Sequence, residues 1–289
     1  MKFMGLGLVI LAAICWGISG GIADILMDKG WDPIVISLYR GAVGFICFFV
    51  WFLLSFRQNR DISTRTWIWS LVAGVGVAGN FTFYFLSIEA SSVAIAATLM
   101  YTAPVFVLFI SFLLRLEQST WFKWCCIAGV LLGIILLTGA YNTESISVSF
   151  LGILAGLAAG LSYALFIFGF KNASSHGTPP TTLTIAFFSF CLILIFLTDK
   201  GEAAAVLTSK DLGLFILLGI LGAGLSFLLY VNGIRKTTPA NASMVAMVEP
   251  VTASLFGVLV IGDHLNIIQM LGMAVILVTI TTLSVKQAN

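Results

Sequence analysis

Apolar residues fill this chain in long runs, and short polar breaks separate them. The runs are near-continuous rather than striped along one face, and a helix apolar on all sides belongs in lipid or in a large core. A stretch of about 18–20 apolar residues is long enough to cross a hydrocarbon core. Ten spans are expected, at about 3–27, 33–56, 66–88, 91–114, 121–140, 150–171, 181–198, 211–234, 239–262 and 266–285. The breaks carry turn chemistry. Asp28-Lys29-Gly30-Trp31-Asp32-Pro33 is a polar turn ending on a proline suited to a first helical position. A basic loop covers 57–65, a polar link covers 141–149, and Thr178-Pro179-Pro180 and Thr237-Thr238-Pro239 punctuate the second half. Lys2 and the run behind it resemble a signal peptide. That run continues to about Met27 without an A-x-A cleavage pattern, so it is expected to stay as the first helix.

Composition agrees with this pattern. Of the 289 residues 60% are hydrophobic and 9% charged, and the mean hydropathy is +1.10. A soluble domain carries roughly a quarter charged residues, so this chain has too few to coat a wet surface. The expected fold class is an all-α integral membrane protein whose surroundings are the lipid bilayer. A net charge of +2 without a clustered basic face excludes nucleic acid as a partner. Cys15, Cys47, Cys125, Cys126 and Cys191 all lie in apolar runs with no C-x-x-C spacing, which reads as packing rather than metal ligation.

The basic residues give orientation. With ten spans, one side holds Lys2, Arg57, Arg60, Arg65, Arg115, Lys123, Lys171, Arg235, Lys236 and Lys286, and the other holds Lys29, Lys200 and Lys210. Ten against three places both termini in the cytoplasm by the positive-inside rule.

The two halves repeat. A shift of 146 residues aligns Tyr84 with Tyr230, Ile88 with Ile234, Ala94 with Ala240, Ala96 with Ala242, Pro104 with Pro250 and Glu117 with Asp263. Each half holds five spans, so the second must be inverted relative to the first. The halves are expected at 1–140 and 150–286. Glu89 falls where Arg235 falls, an acidic outer loop against a basic inner one. Inverted repeats are a hallmark of secondary transporters, which alternate access to a site near the repeat interface. Gly152, Gly156 and Gly160 in the sixth span, and Gly129 and Gly133 in the fifth, form G-x-x-x-G steps that let helix backbones approach closely.

These features resemble the EamA-like domain family of the drug/metabolite transporter superfamily. The resembling residues are Trp16-Gly17, Arg40, Ala103-Pro104 with Glu117 after it, and Glu249-Pro250 with Asp263 after it. The resemblance covers nearly the whole chain. It implies ten transmembrane helices as two inverted five-helix repeats. It also implies a carrier, in a family whose members export amino acids, drugs or metabolites and in some instances import solutes such as choline. One position departs: the first half has Ala103 where the second has Glu249, so the acidic position is asymmetric.

Charges inside spans cost roughly 2.5–3.5 kcal/mol each at the helix centre on translocon scales, and two stand out. Glu249 is near the middle of the ninth span, and Arg40 is seven residues into the second. Glu249 reads either as a proton-coupling or cation-binding group, or as a partner for a helix end freed by Pro250. Arg40 reads as a partner of Glu249, of Asp24, or of a substrate carboxylate. Trp16, Tyr84, Tyr101, Tyr163 and Tyr230 lie within spans, and Asn80 is one helical turn before Tyr84. These six are the expected substrate-binding set. Aromatic faces with one carboxylate suit an organic cation by cation–π contact, and equally an amino acid or an aromatic metabolite. Trp16, Tyr84, Tyr163 and Tyr230 are expected to approach a shared central cavity.

His176 and His264 read as loop residues, and no catalytic triad, metal cluster or phosphate loop is present in the sequence. Gly74 to Gly79 imitates a dinucleotide-binding loop but lies inside a span with no strand before it. The chain is therefore expected not to be an enzyme and to need no cofactor. The leading expectation is a secondary transporter, in the exporting direction, for an amino acid, amine or related metabolite, with protons as a coupling ion, in a bacterial cell membrane. The alternatives are an importer of a quaternary ammonium solute such as choline, or a membrane channel. The oligomeric state is open.

Overall fold

The fold comes from a computed structural model, which describes residues 2–56, 62–116, 118, 120–142 and 149–288. Among the described residues, ten helical segments are long and apolar enough to cross a membrane, and none forms a strand. The first three spans are α1 (Lys2–Asp28), α2 (Pro33–Leu54) and α3 (Thr64–Ala90). Span four divides into α4 (Val93–Met100) and α5 (Ala103–Leu113), and span five is α6 (Trp121–Thr138). Spans six and seven are α7 (Phe150–His176) and α8 (Pro179–Leu197), followed by a short surface helix, α9 (Lys200–Val206). Span eight is α10 (Leu212–Gly219), a π-helical turn (Ile220–Leu225) and α11 (Ser226–Ile234). Span nine is α12 (Pro239–Val245), α13 (Val248–Phe256) and a second π-helical turn (Gly257–Ile261), and α14 (Ile267–Ala288) is span ten. Arg57, Arg60, Glu117 and positions 143–148 of the link lie outside the described residues.

Local chemistry explains the helix ends. The Asp32 side chain accepts from the Ile34 and Val35 amides, and Pro33 opens α2. Ser63, Ser92, Thr120 and Ser149 cap α3, α4, α6 and α7 in the same way. Span six runs past its expected end near 171 because its polar tail bonds back onto the helix. Asn172 Nδ2 donates to the Phe168 carbonyl (2.9 Å) and Ser175 Oγ to the Asn172 carbonyl (2.7 Å). His176, expected in a loop, is the last residue of this helix, and its Nδ1 lies 2.9 Å from the Asn172 carbonyl.

Spans four and nine are broken at matching positions. α4 ends before Tyr101-Thr102, and α12 ends before Ala246-Met247. Each break precedes a proline by a few residues, Pro104 and Pro250. A proline ring removes one amide donor and collides with the carbonyl four residues back, here those of Met100 and Ala246. The chain turns tightly instead. The Thr102 amide bonds the Leu99 carbonyl (3.1 Å), and the Glu249 amide bonds the Ala246 carbonyl (2.9 Å).

The packing repeats across the halves. α7 of the second half packs against α3 and against both pieces of span four. α1 of the first half packs in the same way against span eight and against α13. α2 meets α8, α5 meets α12, and α6 meets α14, each a pairing of equivalent spans. The glycine stripes mark these contacts. A Cβ on Gly156 would lie 2.7 Å from Leu99 Cβ, and one on Gly160 would lie 3.0 Å from the Leu99 and Met100 carbonyls. Close approach through small residues supplies van der Waals packing where lipid removes the hydrophobic drive.

The ends of the bundle differ. At the end carrying the N-terminus, the Lys171 ammonium donates to the carbonyls of Ile234 (2.8 Å), Arg235 (3.4 Å) and Thr237 (2.7 Å), tying α7 to the turn between spans eight and nine. All of α12 is buried beside it. At the opposite end, Lys29 forms an ion pair with Asp211, and Trp31 Nε1 donates to the same carboxylate (3.0 Å). The Lys29 ammonium, with the Trp31 indole second, holds the Asp211 carboxyl below its usual range.

Candidate functional site

The break in span nine puts Glu249 in the first turn of α13, mid-membrane. It is fixed there from behind by α1. A Cβ on Gly17 would lie 2.6 Å from the Glu249 carbonyl oxygen and from Thr252 Cβ, so α1 abuts the α13 backbone directly. The carboxylate faces Tyr101, at the break in span four, and Tyr163 on α7. The Tyr163 hydroxyl makes no hydrogen bond of standard geometry with the protein. Arg40 and Tyr84 are within electrostatic reach of Glu249, and Tyr84 is also within reach of Asp24 near the far end of α1. The two breaks therefore bring residues from both halves around one intramembrane carboxylate.

Behind this group lies an aromatic wall. Trp16 stands 5.1 Å, centroid to centroid, from both Phe227 and Tyr230. Phe166 lies 4.5 Å from Tyr163 and 5.9 Å from Tyr230. Tilted and edge-on ring pairs at these distances are favourable packing. The wall holds more polar atoms than it satisfies. Trp16 Nε1 and Tyr230 Oη are both buried without a hydrogen-bond partner in the protein. Each such group left unpaired costs about 1–3 kcal/mol, and unsatisfied buried groups call for an explanation.

Arg40 reaches the same region from α2. Its guanidinium lies over the Phe81 ring at 5.0 Å, a cation–π distance. Nη2 donates to the Ser19 carbonyl at 3.4 Å, and Nε is buried without a partner. The π-helical turn of span eight makes room for it. A Cβ on Gly222 would lie 2.6 Å from Ser19 Oγ and 3.2 Å from Arg40 Nε. Among the described residues Arg40 forms no ion pair with Glu249 or with Asp24.

The expected binding residues are thus distributed unevenly. Tyr84, Tyr101 and Tyr163 gather at Glu249, and Trp16 and Tyr230 form the wall behind them. Tyr230 is fully buried, whereas Tyr84, Arg40 and Glu249 keep partial accessibility. Asn80 belongs to the helix interface, where its Nδ2 donates to the Ala159 carbonyl of α7 (3.0 Å). Phe166, Phe227, Ser19 and Gly222 were not singled out from the sequence. Phenylalanine, serine and glycine are too common in membrane helices to carry a signal there.

Comparison with known proteins places this architecture. The EamA-like transporter family matches the chain twice, over residues 3–139 and 150–285. The Escherichia coli (strain K12) threonine/homoserine exporter RhtA is 26% identical, over 98% of this chain and 94% of that protein. The uncharacterized transporter YwfM of Bacillus subtilis (strain 168) is 24% identical, over 96% of this chain and 92% of its own. A solved crystal structure superimposes with a TM-score of 0.73 at 17% identity, covering 98% of this chain and 99% of that one, and shows the shared fold. With two family matches spanning both halves and ten membrane-crossing helices, the chain belongs to the EamA-like transporter family of the drug/metabolite transporter superfamily.

Proposed function

We propose that this transporter carries a small organic solute bearing an amine outward across the cell membrane, by alternating access, with Glu249 binding the amine and a proton in turn. The observation that carries this reading is the placing of one intramembrane carboxylate at the paired breaks of spans four and nine. Discontinuous helices near the midplane are where secondary transporters build their sites, and an intramembrane acid is functional by default. The partnerless Trp16 and Tyr230 polar atoms beside it offer further donors and acceptors. A carboxylate can hold a proton or an ammonium but not both, so one group can couple opposite movements. RhtA, an exporter of amine-bearing solutes, supports the class and the direction. A channel would need a continuous polar pore, whereas the polar residues within these spans are scattered.

In proteoliposomes the protein is expected to give saturable uptake of an amino acid or amine, with trans-stimulation by internal unlabelled solute. Flux that rises linearly with concentration and shows no counterflow would refute a carrier. The charge distribution further supports cytoplasmic termini. A single cysteine at position 145, in a cysteine-free background, should then react with an impermeant reagent in intact cells. Reaction only after permeabilisation would reverse the orientation.

A further inference from the structure

We propose that Arg40 is the carboxylate-reading half of the solute site, so that the transported class is the zwitterionic α-amino acid rather than the simple amine. This rests on the reading above, in which Glu249 takes the amine.

A guanidinium carries five N–H donors and stays charged. Inside a membrane bundle those donors should be spent on carboxylates or carbonyls. Here they are not. One long bond, Nη2 to the Ser19 carbonyl at 3.4 Å, is made, and Nε is buried with none. The two acids that could neutralise Arg40, Glu249 and Asp24, form no ion pair with it. Yet Glu249 is within electrostatic reach, so the two opposite charges are held close to each other but apart.

The surroundings keep that arrangement. The guanidinium carbon lies over the Phe81 ring at 5.0 Å, a contact that holds the group without using its N–H donors. Gly222, on the π-helical turn, lies so close to Ser19 and Arg40 Nε that a side chain there would displace them. π-turns of this kind frequently occur at functional sites. Glu249 is pinned from the other side by Gly17. An α-amino acid carries its ammonium and its carboxylate on one carbon, and the Glu249 carboxylate and the Arg40 guanidinium, unpaired with each other, offer one partner for each. It would form one charge-assisted bond at each end. A simple amine satisfies Glu249 and leaves Arg40 as it is.

The test uses matched triples on the full-length protein in detergent: L-threonine, L-threoninamide and 1-amino-2-propanol; L-leucine, L-leucinamide and isoamylamine; L-phenylalanine, L-phenylalaninamide and phenethylamine. Binding is read by thermal shift and by competition for transport. The expected result is that in at least one triple the amino acid binds at least about tenfold more tightly than its amide and its amine, as the loss of a charge-assisted bond implies. Arg40→Gln should erase this preference, bringing acid, amide and amine to within about twofold of one another, and Arg40→Lys should retain part of it, because charge without the fork is less complementary to a carboxylate. Amides or amines binding as tightly as their acids to the parent protein would overturn the assignment of Arg40 and leave the amine reading standing. An unchanged preference in Arg40→Gln would also overturn it. If no member of any triple binds the parent protein, both readings fall. Should Arg40→Gln not fold, the triples on the parent and on Arg40→Lys decide the matter.

Discussion

Glu249→Gln is expected to abolish solute movement driven by a pH gradient, by at least about tenfold, while the protein still reaches the membrane. Glutamine keeps the shape and hydrogen-bonding capacity of the side chain and removes its titration. In the proposed exchange the carboxylate holds a proton or the solute's ammonium in turn, which would link the gradient and the solute through one group. Glutamine can hold neither charge, and the linkage is lost. Glu249 has no ion-pair partner among the described residues, so the substitution leaves no paired cation behind. Arg40 loses only a neighbour, not a bonded partner. The measurement is transport in proteoliposomes with and without an imposed pH gradient, alongside solute exchange at raised concentration with no gradient. Loss of the gradient response with exchange retained is the expected pattern. An equal response in both proteins would show that Glu249 is not the coupling group and would return it to a structural role at the break beside Pro250.

Gly17→Ala is expected to destabilise the protein and disable the site together, through a single added methyl group. That methyl would lie 2.6 Å from the Glu249 carbonyl oxygen, 2.6 Å from Thr252 Cβ and 2.9 Å from the Ala253 amide nitrogen. Two of the three are backbone atoms, so no side chain can rotate away, and α1 and α13 must separate. Overpacking of this kind costs about 1–3 kcal/mol. The shift moves Glu249 relative to Tyr101 and Tyr163, which come from other helices. Gly20→Ala, one turn along the same helix, is the control, because a Cβ there meets nothing within 4 Å. It should be neutral or slightly stabilising, since alanine is the better helix former by about 1 kcal/mol. Thermal unfolding in detergent and gradient-driven uptake check both variants. Equal behaviour at the two positions would mean that the α1–α13 contact does not hold the site.

The spans were legible because uninterrupted apolar runs bounded by Asp, Pro and Gly leave little choice of element. The ends expected near 33, 121, 150 and 211 fall within a residue or two of Pro33, Trp121, Phe150 and Leu212. The breaks in spans four and nine were signalled by Pro104 and Pro250, but where a chain turns before a proline depends on which carbonyls its neighbours can cover. The π-turns at Ile220–Leu225 and Gly257–Ile261 had no signal, because their hydrogen-bond register answers to packing against α1, α2 and the Asp263 turn rather than to local propensity. Arg40 and Glu249 stood out because charge is rare in apolar spans. Their separation was not legible, since a pair distance between helices two and nine is a tertiary quantity. The same holds for Asn80, whose sequence position shares a face with Tyr84 while its amide is committed to Ala159.

The Lys171 contacts couple helix position to hydration at one end of this bundle. One ammonium satisfies carbonyls from Ile234, Arg235 and Thr237, all freed where span eight ends. Separating α7 from that turn uncovers a cation and three acceptors at once, and lipid can answer none of them. Only water can. Any movement that parts α7 from that turn must therefore bring water to one lysine and three carbonyls in the same event.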